Sequence, residues 1–446
     1  MGNDTTSREP NPRRTDPSSA DREARNTLWL EAYQVLIRTG WIFKTETIIM
    51  PAVLDEVVDS GTLRGLLPVL NRGGNSLPPL AAAGPISRMP RKRPALVATT
   101  LAMAGCFGLL AVAWGPLAKT RPDFLAGLFL VVYAAFAAAN GLNQLALATL
   151  QGKLIAAGNR GRAMVVSVTI GSVLAIVAAL LLLRPWLAEP DGFPKIFAAT
   201  AAFFAVAAFV PLLLDEPAAA PAAPGLHGGG WFARLAAGAV GWRRTIVADA
   251  ALLRLTVVAA CFSWVLMLFP HYQAFARDDL GTGRGSLLVW VVAQNVITGL
   301  ASLVAGPLAD RRGTRITLIW LVGLSAVTPL VVVLLSLAPP ALAGGWFWLV
   351  FASLGLNPIS LKMFTAYALE LAPAAAEHPR YVSIVGAALA APFVVSPLVG
   401  LAVDAIGFRP VFLAGAGMIF SGALVACGLP EPRQRQMVVP PVDTGL

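Results

Sequence analysis

The sequence predicts an all-α polytopic membrane protein, with about twelve transmembrane helices arranged as two six-helix bundles. Three observations predict it. Of 446 residues, 57% are hydrophobic and 13% charged, with a mean hydropathy of +0.69. A soluble domain carries about 25% charged residues. Apolar runs such as "IGSVLAIVAALLL" and "ITLIWLVGLSAVTPLVVVLLSLAP" recur from Leu28 to Leu429. A run of roughly 18 apolar residues is enough to cross a bilayer as a helix. Finally, polar landmarks repeat. Gly84 of "GPISRMPRKR" and Gly306 of "GPLADRRGTR" lie 222 residues apart, Pro51 and Pro270 219, and Arg162 and Arg380 218.

The elements follow in order. Residues 1–25 are polar, rich in Pro, Asp and Arg, and lack the apolar core of a signal peptide. They predict a disordered tail. Twelve spans follow at 30–56, 62–83, 95–116, 123–151, 162–184, 194–214, 251–275, 286–305, 315–338, 345–371, 381–403 and 409–429. Residues 26–38 fit either the start of the first span or an amphipathic helix lying on the membrane surface. All spans are helical, because barrel strands would be shorter and alternating. Residues 26–214 make the first bundle and 251–430 the second. Residues 215–250 form a Pro-, Ala- and Gly-rich linker that turns basic, and 431–446 form a second tail.

Charge sets the orientation. With the N-terminus inside, the inner loops between spans hold fifteen Lys and Arg against eight in the outer loops. Both termini are therefore expected on the cytoplasmic side of a cell inner membrane. The net charge of +10 reflects those loops and gives no reason to invoke nucleic acid. Cys106, Cys261 and Cys427 stand far apart in apolar runs. They read as packing residues, without disulfide or metal spacing. "GTGRGS" at Gly281 lacks the Lys of a phosphate-binding loop. With no nucleophile elbow either, an enzyme, a cofactor and a metal are not expected.

The most specific motif is "GPLADRRGTRITLI", Gly306 to Ile319, between spans eight and nine. Through Gly306, Asp310, Arg311, Gly313 and Arg315 it resembles the cytoplasmic signature loop of the major facilitator superfamily. "GPISRMPRKR" stands at the position of the first copy but departs from it, with Arg88 in place of Asp and Arg91 in place of the second Gly. "GNRGRAM" with Arg162 and "EHPRYVS" with Arg380 resemble the loops between spans four and five and between ten and eleven. The resemblance implies two six-helix bundles with inverted repeats within each. It also implies alternating access, with Asp310 meeting the start of span five near Arg162 as an inner latch. The two glycines suit a tight turn and close helix approach.

The resemblance further implies that spans one, four, seven and ten line a central cavity while three, six, nine and twelve face lipid. The polar residues agree. Spans three, six, nine and twelve carry no charge. Span one carries Arg38, Lys44 and Glu46, span four Asn140, Asn143 and Gln144, and span ten Asn357 and Lys362. Span seven ends in His271, Tyr272 and Gln273, with His271 expected at the membrane interface. Three charges in span one cost roughly 8 kcal/mol and its apolar residues return about 5, so the charges must face protein or water.

Lys44 and Glu46 lie about 200° apart on a continuous helix and should not pair. Glu46 is expected to pair with Arg72 of span two, beside Asn71 and Asn75. Gln294 and Asn295 of span eight are further candidates. Cations outnumber the single carboxylate, which suits an organic anion. The expected function is a secondary transporter of a small solute, with a proton as a possible coupling ion, acting as a monomer in the bilayer. The alternatives are a non-transporting assembly factor or sensor, and a lipid flippase.

Overall fold

The computed structural model describes residues 17–155, 157–189, 191–218, 242–373 and 377–431. Helices in chain order stack into twelve rods, and the described residues contain no strand. The rods of the first half are Pro17–Trp41 continued by Ile49–Asp55, then Gly61–Arg88, Arg93–Thr120, Pro122–Leu154, Ala157–Ala178 continued by Arg184–Ala188, and Gly192–Phe209. Those of the second half are Ala250–Asp278, Gly285–Arg312, Thr314–Leu335, Pro340–Trp346 continued by Trp348–Leu354 and Asn357–Leu371, His378–Ala390 continued by Ser396–Ile406, and Phe408–Cys427. They are called spans 1 to 12 below.

Ten of the rods are long and apolar enough to cross a membrane. Spans 1 and 2 fall outside that measure for reasons of sequence. Span 1 carries its charges mid-helix, and span 2 carries Arg64, Arg72 and four prolines.

The same packing recurs in both halves. Span 1 packs on 5 and 6, span 2 on 4, and span 3 on 4 and 6; span 7 packs on 11 and 12, span 8 on 10, and span 9 on 10 and 12. The core of the first half is aromatic, with Phe107 in ring contact with Phe136, Phe197 and Phe204, and Phe136 stacked on Phe204. In the second half Trp290 stacks on Phe351 at 4.7 Å. Leu109 and Val112 of span 3, Phe209 of span 6, Trp320 of span 9 and Leu424 of span 12 are exposed, as lipid-facing rods require.

Three sequence expectations change. Helix begins at Pro17, so residues 17–25 of the expected tail belong to span 1. Residues 26–38 do not lie apart along a surface, because they continue that helix and because Asn26 exchanges hydrogen bonds of 3.0 and 2.9 Å with the backbone of Asp215. His271 does not face outward. It is fully buried, because the end of span 7 packs against Ile49–Asp55 and span 2.

Among pairs of described residues, the ion pairs joining the halves cluster at one end. Arg277 of span 7 meets Asp55 at 3.4 Å and Asp59 at 2.8 Å, while Arg64 of span 2 meets both carboxylates at 2.9 Å. Arg284 pairs with Glu56. Asp404 of span 11 accepts from the amides of Gly61 and Thr62 at 2.9 and 3.2 Å, capping span 2 from the other half. A Cβ on Gly61 or Gly400 would collide with backbone of the opposite span. Asp59 lies in the loop beyond span 1. Burial alone would raise its carboxyl pKa, yet the Arg64 and Arg277 guanidinium groups hold it below the ordinary carboxylate value. This end is the clasped end.

Toward the opposite end, the described bonds stitch each half to itself. Glu216, just past span 6, accepts from the amides of Lys92 and Arg93 at the start of span 3, at 2.8 and 2.9 Å, and from Lys153 at 2.7 Å. The second half brings a glutamate to the same place, with its Oε1 buried and without a hydrogen-bond partner among the described residues. The Glu431 carboxylate sits against Gly313 at the start of span 9, and Arg315 donates to the Cys427 carbonyl at 2.8 Å.

Candidate functional site: a cavity shared by both halves

The segment "GWIFKTETIIMP" is where span 1 breaks. Helix ends at Trp41, Ile42–Lys44 form one 3-10 turn, Thr45 is extended, and helix resumes at Ile49. The break overturns the helical-wheel argument. Lys44 Nζ donates to Glu46 Oε1 at 2.9 Å, a pairing that a continuous helix would forbid. Glu46 and Arg72 line common walls, but no ion pair within 4.0 Å joins them.

Successive polar residues at the break point three ways. Lys44 turns into the first half and is fully buried, with Nζ 3.2 Å from the Trp41 ring centre and 4.3 Å from that of Phe136. Desolvated cation–π contacts of this kind contribute about 2 kcal/mol. Glu46 faces the cavity with 30% of its side chain exposed. Thr47 reaches the other half and donates to Gln294 Oε1 at 2.7 Å.

The cavity measures about 480 Å³. It runs from the level of Glu46, Arg72 and Phe269 toward the unclasped end, along Tyr33, Leu147, Ser167 and Leu361. Both halves line it, through spans 1, 2, 4 and 5 and spans 7, 8 and 10. A second cavity of about 40 Å³ lies toward the clasp, walled by Glu46, Asn71, Arg72, Tyr133 and Phe393. Glu46 and Arg72 border both.

Of the predicted residues, Glu46, Arg72, Asn140, Asn143, Gln144, Gln294, Asn295 and Asn357 line the large cavity. Asn71 lines only the small one, and Asn75 holds the amide of Asn140 at 2.7 Å behind the wall. Asn143 is committed to Tyr33 and Thr100 at 3.0 and 2.8 Å, a structural use of its amide. Both amide atoms of Asn357 are buried without a hydrogen-bond partner. Lys44 lies behind the wall, since the aromatic groups take its head. His271, Tyr272 and Gln273 lie beyond the cavity, in the packed end of span 7, which contributes Leu266 and Phe269 instead.

Sequence reasoning missed Tyr33, Gln34, Thr45, Thr47, Ser167 and Thr298. Neutral side chains in apolar runs carry no cost that would reveal them.

The signature loop is partly seen. Gly313 adopts φ +95° and turns the chain from span 8 into span 9. Gly306 lies mid-helix with open space where its Cβ would stand, so it serves no close helix approach. Arg311 is exposed. Arg315 holds a backbone carbonyl, and Arg380 meets Glu377 at 3.6 Å. The side chains of Asp310 and Arg162, and with them the inner latch, lie outside the described residues. No cluster of metal-binding side chains occurs among the described residues.

Comparisons with known proteins match this geometry. Residues 255–444 match the family model of the Major Facilitator Superfamily. No curated protein matches the chain significantly. Solved structures share the fold across both halves. The nucleoside transporter NupG in a mutant form aligns with a TM-score of 0.67 at 12% identity, covering 90% of this chain and 99% of that one. A D-xylose-proton symporter aligns at 0.64 and 16%, covering 90% and 98%. A bacterial homolog of the human lysosomal transporter Spinster, in an inward-facing and unoccupied conformation, aligns at 0.65 and 13%, covering 96% and 100%.

Proposed function

We propose that this chain, a Major Facilitator Superfamily protein by its second half and by the fold of the whole, carries a small organic anion across its membrane by alternating access. One observation supports the cargo class. Glu46 is the single carboxylate in the wall of the shared cavity, and Lys44 already neutralises it. Arg38 and Arg72 line the same wall with no carboxylate within 4 Å among the described residues. The Glu46 charge also reaches Arg72, yet Arg38, Lys44 and Arg72 together outnumber this one carboxylate, and a surplus of cations at a partly apolar cavity attracts an anion and repels a cation. Ile37, Leu147, Leu266 and Leu361 offer surface to an apolar body.

The excess of basic residues in alternate loops supports an open end facing the cytoplasm. The likeness to the inward-facing Spinster homolog supports the same orientation. The clasp then closes the outer end, and the cavity awaits cargo from inside. Thr47 and Gln294 bind the halves at the level of the site, so a cargo lodged there touches both rigid bodies that must rock. The seat for a coupling proton would be Glu46, whose neutralisation would leave Lys44 as a third cation beside the site.

The reading is tested on purified protein by thermal shift against carboxylates, phosphate esters, amines and sugars. Anions should raise the unfolding midpoint, and Arg72→Gln should weaken that binding by about 10- to 100-fold, the worth of a charge-assisted hydrogen bond. Stabilisation by amines or sugars alone would overturn the reading.

A further inference from the structure

At the open end of the cavity two cations stand on opposite halves. Arg38 lies on span 1, six residues before Lys44 toward the mouth, and lines the cavity. Its Nε donates to Ser172 Oγ at 2.9 Å, which fixes the guanidinium against span 5 without neutralising it. Lys362 lies on span 10, one residue past the cavity-lining Leu361, and is exposed. No carboxylate lies within 4.0 Å of either among the described residues. Arg38 lies near enough for its like charge to act on Lys362.

Alternating access must open the clasp and bring the mouth together. That motion drives Arg38 and Lys362 toward each other as water leaves. Like charges approaching in a drying cleft repel more strongly with every ångström. Packing offers no escape, because Arg38 is held by Ser172, and Gly171 leaves no room beyond its side-chain stem.

We propose that Arg38 and Lys362 are the two halves of one anion subsite, split between the bundles, and that the mouth closes only around an anionic group held between them. The proposal rests on the anion reading above and narrows it. A cargo that occupies Arg72 with one anionic group needs a second to reach the mouth, about two helical turns away along span 1. The class is a dicarboxylate, or a carboxylate bearing a phosphate. An empty carrier keeps its cations apart and stays open, so the cycle becomes an exchange of one anion for another.

The test uses the full chain in lipid nanodiscs, with Cys106, Cys261 and Cys427 replaced by alanine and spin labels at Ala148→Cys and Thr365→Cys. Pulsed electron paramagnetic resonance reads the distance across the mouth. Without added organic anion, one long distance is expected. Sodium suberate, an eight-carbon dicarboxylate long enough for the span, should populate a short one, with the monocarboxylate sodium hexanoate at least about tenfold less effective. Sodium phosphate separates the two sources of the chemistry. Closure by phosphate shows that a free inorganic anion satisfies the subsite, whereas closure by suberate alone assigns it to the cargo.

Lys362→Gln and Arg38→Gln should each close the mouth with no anion present, and Lys362→Glu should hold it shut by pairing with Arg38. If both neutral variants match the wild type without anion, the proposal is wrong, even where carboxylates still bind. If the neutral variants close but no carboxylate stabilises the protein, the split subsite stands and the cargo reading fails. Thermal unfolding of each variant confirms that it is folded.

Discussion

Lys44 shows how one side chain can serve a site without facing it. Its ammonium group is enclosed by Trp41, Phe136 and Glu46, and none of its surface reaches water. A lone buried ammonium is costly, so the pair exists only as a pair. Lys44 sets the charge of the cavity indirectly, by cancelling Glu46 and leaving Arg38 and Arg72 to act. Lys44→Ala should therefore strand Glu46 and destabilise the fold by about 3–5 kcal/mol. Adding Glu46→Gln to Lys44→Met should recover most of that loss, as seen by thermal unfolding in detergent. An unchanged midpoint for Lys44→Ala would show that Glu46 finds another counter-ion, with Arg72 the nearest choice. The presence of costly charges in span 1 was legible from composition. Their partnership was not, because the argument assumed an unbroken helix, and the sequence from Gly40 to Pro51 holds no internal proline or glycine to announce the break.

Among the elements, the beginnings of spans 3 and 9 show a device that the landmarks at 220 residues did not reveal. Glu216-Pro217 and Glu431-Pro432 lie 215 residues apart, each just past the last span of its half. In both, a glutamate returns to the N-terminus of its half's third span, where the helix dipole favours an anion; Glu216 takes the amides of Lys92 and Arg93, whereas Glu431 Oε1 has no hydrogen-bond partner among the described residues. The dipeptide was visible in the sequence. Its role was not, because the two elements it joins are more than a hundred residues apart in the first half. Burial alone would raise the Glu216 pKa, yet the Lys153 ammonium and the Arg93 and Lys92 amides hold it below its ordinary 4.5. A lowered carboxylate contributes stability that is complete above its unfolded-state value and lost as pH falls through the folded one. Glu216→Gln should thus cost about 1–3 kcal/mol at pH 7. The deficit should shrink steadily below about pH 4 and vanish once the wild-type carboxylate is protonated. Unfolding midpoints of both proteins across that range decide it, and a deficit that persists unchanged in acid would mean the loss is one of shape rather than charge.

For the whole molecule, the repeat explains both the symmetry and its breaking. Equivalent rods pack alike in each half, as the duplicated landmarks implied. The two halves nevertheless meet unequally, with ion pairs, a helix cap and glycine contacts concentrated at the clasped end. A conformation is not encoded by a repeat, since both end states must be compatible with one sequence. The clasp residues Asp55, Asp59, Arg277 and Asp404 therefore carried no signal that separated them from ordinary loop charges. On the alternating-access proposal they hold one side of a two-state balance, and their removal is predicted to favour the other. If the halves are rigid, the two ends are reciprocal. In the presence of sodium suberate, Arg277→Gln combined with Asp404→Asn should speed amide exchange at Gly61 and Thr62 by about 10- to 100-fold. It should also slow exchange around Leu147 and Leu361, where the mouth then spends longer shut. Faster exchange at the clasp with no added protection at the mouth would show that the ends move independently, and a rocking pair of bundles would no longer describe this chain.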